Sequence, residues 1–299
     1  MAKALHTISA KPGLDRLYEH FNLGQSVADP VWIVRRYAGP DDQEIVAFVA
    51  SALAFGRVQS VLNSIEGVLR VMGPSPAGFV RAFDPARDRH LFDALGHRWT
   101  RGPDLAALVW ILRQMLDRAD SIEAFFAQGG DPDAGDVETA LESFAQRALA
   151  LDVRAVYGRL RPRPGVAYFF SRPSAGGACK RLNLFLRWMV RRDQVDLGVW
   201  SRVRAAQLIV PLDTHVIRVG QCLRLTRYRS PGWRMAADIT RSLRAFDPID
   251  PVKYDFSICH IGMMSACGFG TSAGDTRCPL RGACAPRSAP RTTRPRSAS

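Results

Sequence analysis

No stretch of the chain holds the roughly 18 consecutive apolar residues that a membrane-spanning helix requires. The opening MAKALHTISAKPGLDRLYEHF also lacks an apolar core ahead of a cleavage site, so no signal peptide is expected and the expected location is the cytoplasm. Strand-like alternation is nearly absent, which argues against a sheet-based fold. Acidic residues are few, 28 against 41 Lys plus Arg, giving a formal net charge of +13. That excess favours a polyanionic partner, because basic groups release counterions when they neutralise phosphates. An Arg-rich composition also follows from a GC-rich genome. The basic tail RSAPRTTRPRSAS (287–299), read as disordered, accounts for only part of the excess. Cysteine is sparse too: Cys179, Cys222, Cys259, Cys267, Cys278 and Cys284. In a chain without a leader these read as thiols or metal ligands rather than disulfides.

What the chain does have is helical periodicity. At 299 residues, 47% of them hydrophobic, it can bury one large core or two moderate ones. Over 43–73, apolar residues recur at helical spacing from Ile45 to Met72, with a break expected near Gly56. Similar patterns occupy 104–118, 136–150, 180–192, 214–225 and 234–246. The segments DPARDRH (84–90) and GGDPDAGD (129–136) read as loops, and the Pro-rich RLRPRPG (159–165) as a boundary. No internal repeat is present. The expectation is an all-α protein of two helical lobes over 1–286, followed by the tail.

Two segments carry candidate chemistry. In PLDTHVIRVG (211–220) an apolar run gives way to a helix that begins at Asp213. A carboxylate there is a good N-cap, accepting from the first unpaired helical N–H groups; the same carboxylate could be catalytic if the fold supplies a partner. In GGACKRLNLFLRWMV (176–190), Gly176 and Gly177 permit a tight turn with positive φ and close approach by another backbone. Lys180 falls in the first turn of the helix that follows. Leu182, Phe185, Leu186 and Met189 form its apolar stripe, and Arg181, Arg187 and Arg191 are expected on its other surfaces. The free N–H groups at such a start can hold a phosphate.

Together the two segments resemble the helix-hairpin-helix DNA glycosylase superfamily, which includes endonuclease III and the archaeal 8-oxoguanine glycosylases. In that superfamily a Gly-rich hairpin ends in a catalytic Lys, and a Val/Leu-Asp-x-x-Val/Ile segment supplies a catalytic Asp. GGACK corresponds to the first at Lys180, and PLDTHVIRVG to the second at Asp213. Their separation is closest to the archaeal 8-oxoguanine type, and the hairpin departs from the usual Gly-Val-Gly form. The resemblance covers about residues 44–285. The phrases KRLNLFLRWMVR, VDLGVW, PLDTHV and DPVKYDF also resemble a bacterial family of unknown function.

The resemblance implies a two-lobed helical fold and a monomer that binds double-stranded DNA containing a modified base. It implies excision of that base, with Lys180 and Asp213 catalytic and Gly176 and Gly177 at the DNA; no cofactor is expected. A neutral lysine amine can attack C1′ and form a Schiff base with the opened sugar, while a carboxylate activates it and stabilises positive charge on the sugar. The base could be an oxidised purine, a damaged pyrimidine or a hypermodified base of foreign DNA. Iron–sulfur members of the superfamily carry four C-terminal cysteines; here Cys267, Cys278 and Cys284 remain, with Asp275 where a fourth would stand. Asp275, His260 or Cys259 could complete a metal site, or the thiols are unligated, and no metal is assigned. Phe55, Trp188, Trp200, Tyr254 and Phe256 are candidates to wall a base pocket, with core packing as their alternative role. Two rival readings stay open: a non-catalytic DNA-binding module on the same scaffold, and a helical interaction protein whose charge reflects genome composition.

Overall fold

The computed structural model describes residues 2–22, 29–158, 164–263, 278–280 and 283. It begins with α1 (Ala2–Phe21), the single turn α2 (Val31–Val34), α3 (Pro40–Ala52), α4 (Val58–Met72), α5 (Pro76–Ala82) and α6 (Pro85–Asp88). A small antiparallel hairpin follows, β1 (Gly96–His97) with β2 (Thr100–Arg101). Next come α7 (Gly102–Ala119), α8 (Ile122–Ala127), α9 (Glu138–Leu149), α10 (Arg154–Tyr157) and α11 (Pro164–Phe169). The last described helices are α12 (Lys180–Val190), α13 (Thr214–Cys222), α14 (Trp233–Arg244) and α15 (Asp255–Met263). The protein is all-α. Among the described residues no helix is long and apolar enough to cross a membrane.

The periodic segment 43–73 is α3 and α4, and the break falls where Gly56 takes φ +106°. The other periodic segments coincide with α7, α9, α12, α13 and α14. The expected loop at 84–90 is instead helical, as α6 and the 3₁₀ turn Arg89–Phe92. Asp84 starts it by accepting from the Ala86 N–H at 2.9 Å, and Pro85 takes the first helical position. One turn is too short to register as periodicity. Helix α8 is also short, six residues capped by Ser121, whose Oγ accepts from the Ala124 N–H at 3.0 Å, and a distant residue takes its first two N–H groups. The buried Glu44 carboxylate of α3 accepts from the Ile122 and Glu123 N–H groups and from Trp200 Nε1–H, each at 2.8 Å. Burial raises its pKa, while those three donors favour the anion.

Packing divides the helices into two groups. Helix α3, buried along most of its length, packs against α2, α5 and α12. Helix α7 packs against α5, α8, α10 and α11, and α8 against α9. In the second group α1 packs on α15 and on the 3₁₀ turn Pro251–Tyr254, α14 on the same turn, and α13 on α15. The buried apolar side chains of both groups form one continuous cluster. Helices α12, α13 and α15 bring the candidate residues to the junction.

Candidate active site

Asp213 caps α13. Its backbone is extended (φ −111°, ψ −179°), and Oδ1 accepts from the His215 and Val216 N–H groups at 2.8 Å each. The buried run Leu208, Ile209 and Val210 anchors the strand-like approach, where the Val210 N–H donates to Thr240 Oγ1 at 3.1 Å. Oδ2 is left to face α15. There the Cys259 thiol donates to it at 3.1 Å. Burial, then the Asp213 and Asp255 charges, push the Cys259 pKa far up, so this sulfur stays protonated and acts as a donor.

The hairpin before α12 folds as the glycines suggest. A 3₁₀ turn, Pro173–Ala175, ends at Gly176 with φ +80°, a left-handed position that suits glycine. Cys179 also takes a left-handed conformation (φ +49°) as N-cap of α12. Its thiol, raised to about 11 by burial, bonds the Ser171 and Gly177 carbonyls at 3.4 and 3.6 Å, and so braces the turn. The close backbone approach is real, though the glycine that permits it is Gly232. A Cβ there would stand 2.7 Å from the Gly176 oxygen, which accepts from the Trp233 N–H at 3.3 Å. A Cβ on Gly176 or Gly177 would meet nothing within 4 Å, so the outer face of the hairpin is open.

Lys180 and Asp213 line one pocket of about 150 Å³ at the junction of the two helix groups. Ala54, Gly56 and Val61 form one wall, and Asp255, Phe256, Cys259 and His260 of α15 form another. The volume lies below the roughly 300 Å³ at the lower end for drug-sized ligands, and suits one small ring system. Lys180 is half-buried and makes no ion pair with a described acidic side chain.

Beneath the pocket lies a buried ionic network. Arg187, lining the pocket from α12, donates to Asp255 Oδ2 at 2.6 Å and to Asp196 Oδ1 at 3.1 Å. Arg191, one turn on, pairs with Asp250 and Asp193 at 2.8 Å and with Asp196. Burial alone would lower both guanidinium pKa values; the surrounding carboxylates overcome it and raise them. Asp255 goes the other way, raised to about 6 by burial, with the Asp213 charge adding to the rise against Arg187. Three buried atoms of pocket-lining residues have no hydrogen-bond partner among the described residues: Asp255 Oδ1, Arg187 Nη2 and His260 Nε2. His260 Nδ1 lies 2.8 Å from the Phe256 carbonyl and must carry the proton, which leaves Nε2 an acceptor.

Arg181, Arg187 and Arg191 are therefore not the exposed basic surface expected of them. All three are buried, at 7%, 3% and 3% exposure. Carboxylates from other segments neutralise two of them, and Arg181 donates to the Ala52 and Tyr168 carbonyls beneath the Tyr168 ring. Of the candidate pocket aromatics only Phe256 lines the pocket. Trp188 is core, Trp200 serves Glu44, and Tyr254 donates to Asp15 at 2.7 Å. Cys267, Asp275 and Cys284 lie outside the described residues. Among the described ones, no group of three or more His, Cys, Asp or Glu side chains is placed to hold a metal. Sequence reasoning missed Arg187 and Asp255 as site residues and placed Cys259 and His260 only in a possible metal site; Asp255 stands in the DPVKYDF phrase.

A family model described as "Protein of unknown function (DUF2400)" matches residues 29–264. The chain belongs to that family. The match takes in α2 to α15 and every residue that lines the pocket. No curated protein and no solved structure matches the chain.

Proposed function

We propose that this DUF2400 protein is a DNA glycosylase with lyase activity, which flips a damaged or modified base out of double-stranded DNA into the pocket and excises it, in repair or in defence against modified foreign DNA. The observation that carries the reading is that Lys180 and Asp213, separated in sequence, line the same pocket. The Lys180 amine, once it has given up a proton, attacks C1′ of the flipped nucleotide. The glycosidic C–N bond breaks, and its electron pair leaves with the base, which takes up a proton. Opening of the sugar gives an iminium ion on Lys180. Asp213 Oδ2, on the pocket side of the cap, stabilises positive charge as it develops on the sugar.

Three further features support the reading. The pocket admits one ring system, as extrusion of a single base demands. Its lining residues Arg187, Asp255 and His260 bring donors and acceptors of the kinds that the edge of a base requires. The N–H groups of Gly177, Ala178 and Cys179 bond no described acceptor, which leaves them to a DNA phosphate at the open face of the hairpin.

Borohydride trapping tests the proposal. With DNAs carrying a panel of modified bases, reduction during turnover should join protein to DNA, and peptide mapping should place the link on Lys180. Lys180→Gln should abolish the adduct while keeping most of the affinity, since one charge among many contributes little. Base release without an adduct would leave a hydrolytic glycosylase in which Asp213 guides water. Neither release nor an adduct across the panel would refute the enzyme and favour a DNA-binding module.

A further inference from the structure

The hairpin of β1 and β2 has no part in this chemistry, yet its construction is unusual. Its two turn residues are Arg98 and Trp99, and Arg98 takes φ +58°. Two-residue hairpins place Asn-Gly or Asp-Gly at such positions, because a side chain is strained there. The hairpin is nevertheless held firmly. His97 joins it to the corner between α3 and α4 and to α4 itself, with Nε2 2.7 Å from the Phe55 carbonyl and Nδ1 2.9 Å from Ser64 Oγ. What the strained turn presents is the Trp99 indole, 50% exposed.

Trp99 does not stand alone. Its ring centroid lies 4.8 Å from that of Phe55 and 4.9 Å from that of Tyr168, and those two are 5.3 Å apart. Arg181 braces them from within, its guanidinium carbon 3.4 Å from the Tyr168 centroid and 5.2 Å from that of Phe55. The buried arginine thus supports an aromatic surface that the fold leaves open. Exposed Arg57, Arg98 and Arg101 flank it. Gly56, next to Phe55, lines the pocket, and the Arg98 guanidinium stands 3.4 Å from where a Gly56 Cβ would be. The aromatic surface is therefore continuous with the rim of the pocket.

We infer that Phe55, Trp99 and Tyr168 form a stacking platform for an unpaired nucleobase beside the pocket, so that the preferred DNA carries a single-stranded segment rather than a continuous duplex. Exposed aromatic faces ringed by arginines suit a polyanion whose bases offer π-faces of their own, and base–aromatic stacking needs no particular sequence. A base held there would leave its backbone phosphates within reach of the flanking arginines. The inference rests on the nucleic-acid reading above, but on neither Lys180 nor Asp213.

Binding of the full chain to two labelled DNAs tests it: a continuous duplex, and a duplex of equal length interrupted by a short single-stranded gap. The wild type should prefer the gapped DNA, and Trp99→Ala should weaken gapped binding by about tenfold or more while changing duplex binding little. Trp99→Phe, which keeps a ring, should retain most of the preference. Gapped DNA should also quench tryptophan emission in the wild type, and the quench should disappear in Trp99→Phe. No gap preference in the wild type, or an undiminished one in Trp99→Ala, would overturn the platform and leave the glycosylase reading standing. Failure to bind any DNA would overturn both. A retained, Trp99-dependent preference without base release or a Lys180 adduct would sustain the platform and sink the enzyme.

Discussion

The Asp213 carboxylate has two separable roles, and two substitutions divide them. Oδ1 satisfies two N–H groups of α13, and Oδ2 meets the Cys259 thiol on the pocket side. Asp213→Asn keeps an acceptor for the helix and removes only the charge, whose interaction with the helix dipole contributes about 0.3–1 kcal/mol. Asp213→Ala removes the cap, at a cost of about 0.5–2 kcal/mol. For a chain of this length the unfolding entropy is about 0.6 kcal/mol per kelvin, so 1 kcal/mol corresponds to about 2 °C. The Asn variant should lose no more than about 2 °C in Tm, and the Ala variant about 1–3 °C. Both should release base about 100- to 1000-fold more slowly, the usual loss when a group aimed at developing charge is removed. Single-turnover base release, run beside thermal unfolding of the same samples, reads both effects. An Asn variant that excises at the wild-type rate would refute the argument and reduce Asp213 to a cap.

Arg187→Met should destabilise by about 3–5 kcal/mol, because Asp196 and Asp255 lose their shared cation in a buried site. Thermal unfolding should register a fall of about 5–8 °C, and a loss below about 1 kcal/mol would show that the network contributes little. Asp255 is raised from 3.8 to about 6, so across that interval the folded state holds a proton that the unfolded chain has released. The contribution of Asp255 to stability should therefore fall as pH rises through the interval. Denaturant titrations should show this slope in the wild type relative to Asp255→Asn, and parallel profiles would contradict it. Gly177→Val should fold normally yet bind duplex DNA more weakly, since its side chain enters open space on the proposed phosphate face. Gly232→Ala should lower Tm as well as affinity, because its Cβ would press on the Gly176 carbonyl 2.7 Å away.

The local features were legible because their causes lie within a few residues of chain. Apolar spacing marks α3, α4, α7, α9, α12, α13 and α14 without reference to any neighbour. Asp213 as a cap follows from an acidic residue at the end of an apolar run, and the Gly176 turn from two adjacent glycines. Helix α8 was less legible: Ser121 caps it locally, but six residues are too few to show periodicity, and its first two N–H groups are satisfied by Glu44, 78 residues before Ile122.

The arginines of α12 show where such reading stops. Charge on a helix predicts exposure only while its counter-charges are unknown, and here they arrive from other segments: Asp196, Asp250 and Asp255. Three phrases of the sequence, KRLNLFLRWMVR, VDLGVW and DPVKYDF, contribute the two arginines and these three aspartates, so each phrase is half of a buried interaction. By itself the sequence determined the all-α class, the start of α12 at Lys180 and the cap at Asp213, because hydrophobic period and backbone capping act over one or two helical turns. Only the tertiary structure decided that Lys180 and Asp213 line one pocket, that Cys259 binds the second carboxylate oxygen, and that Arg181 lies under an exposed aromatic surface. Those outcomes depend on which helix faces meet across the core, and burial free energy is shared over the whole cluster rather than carried by any one segment.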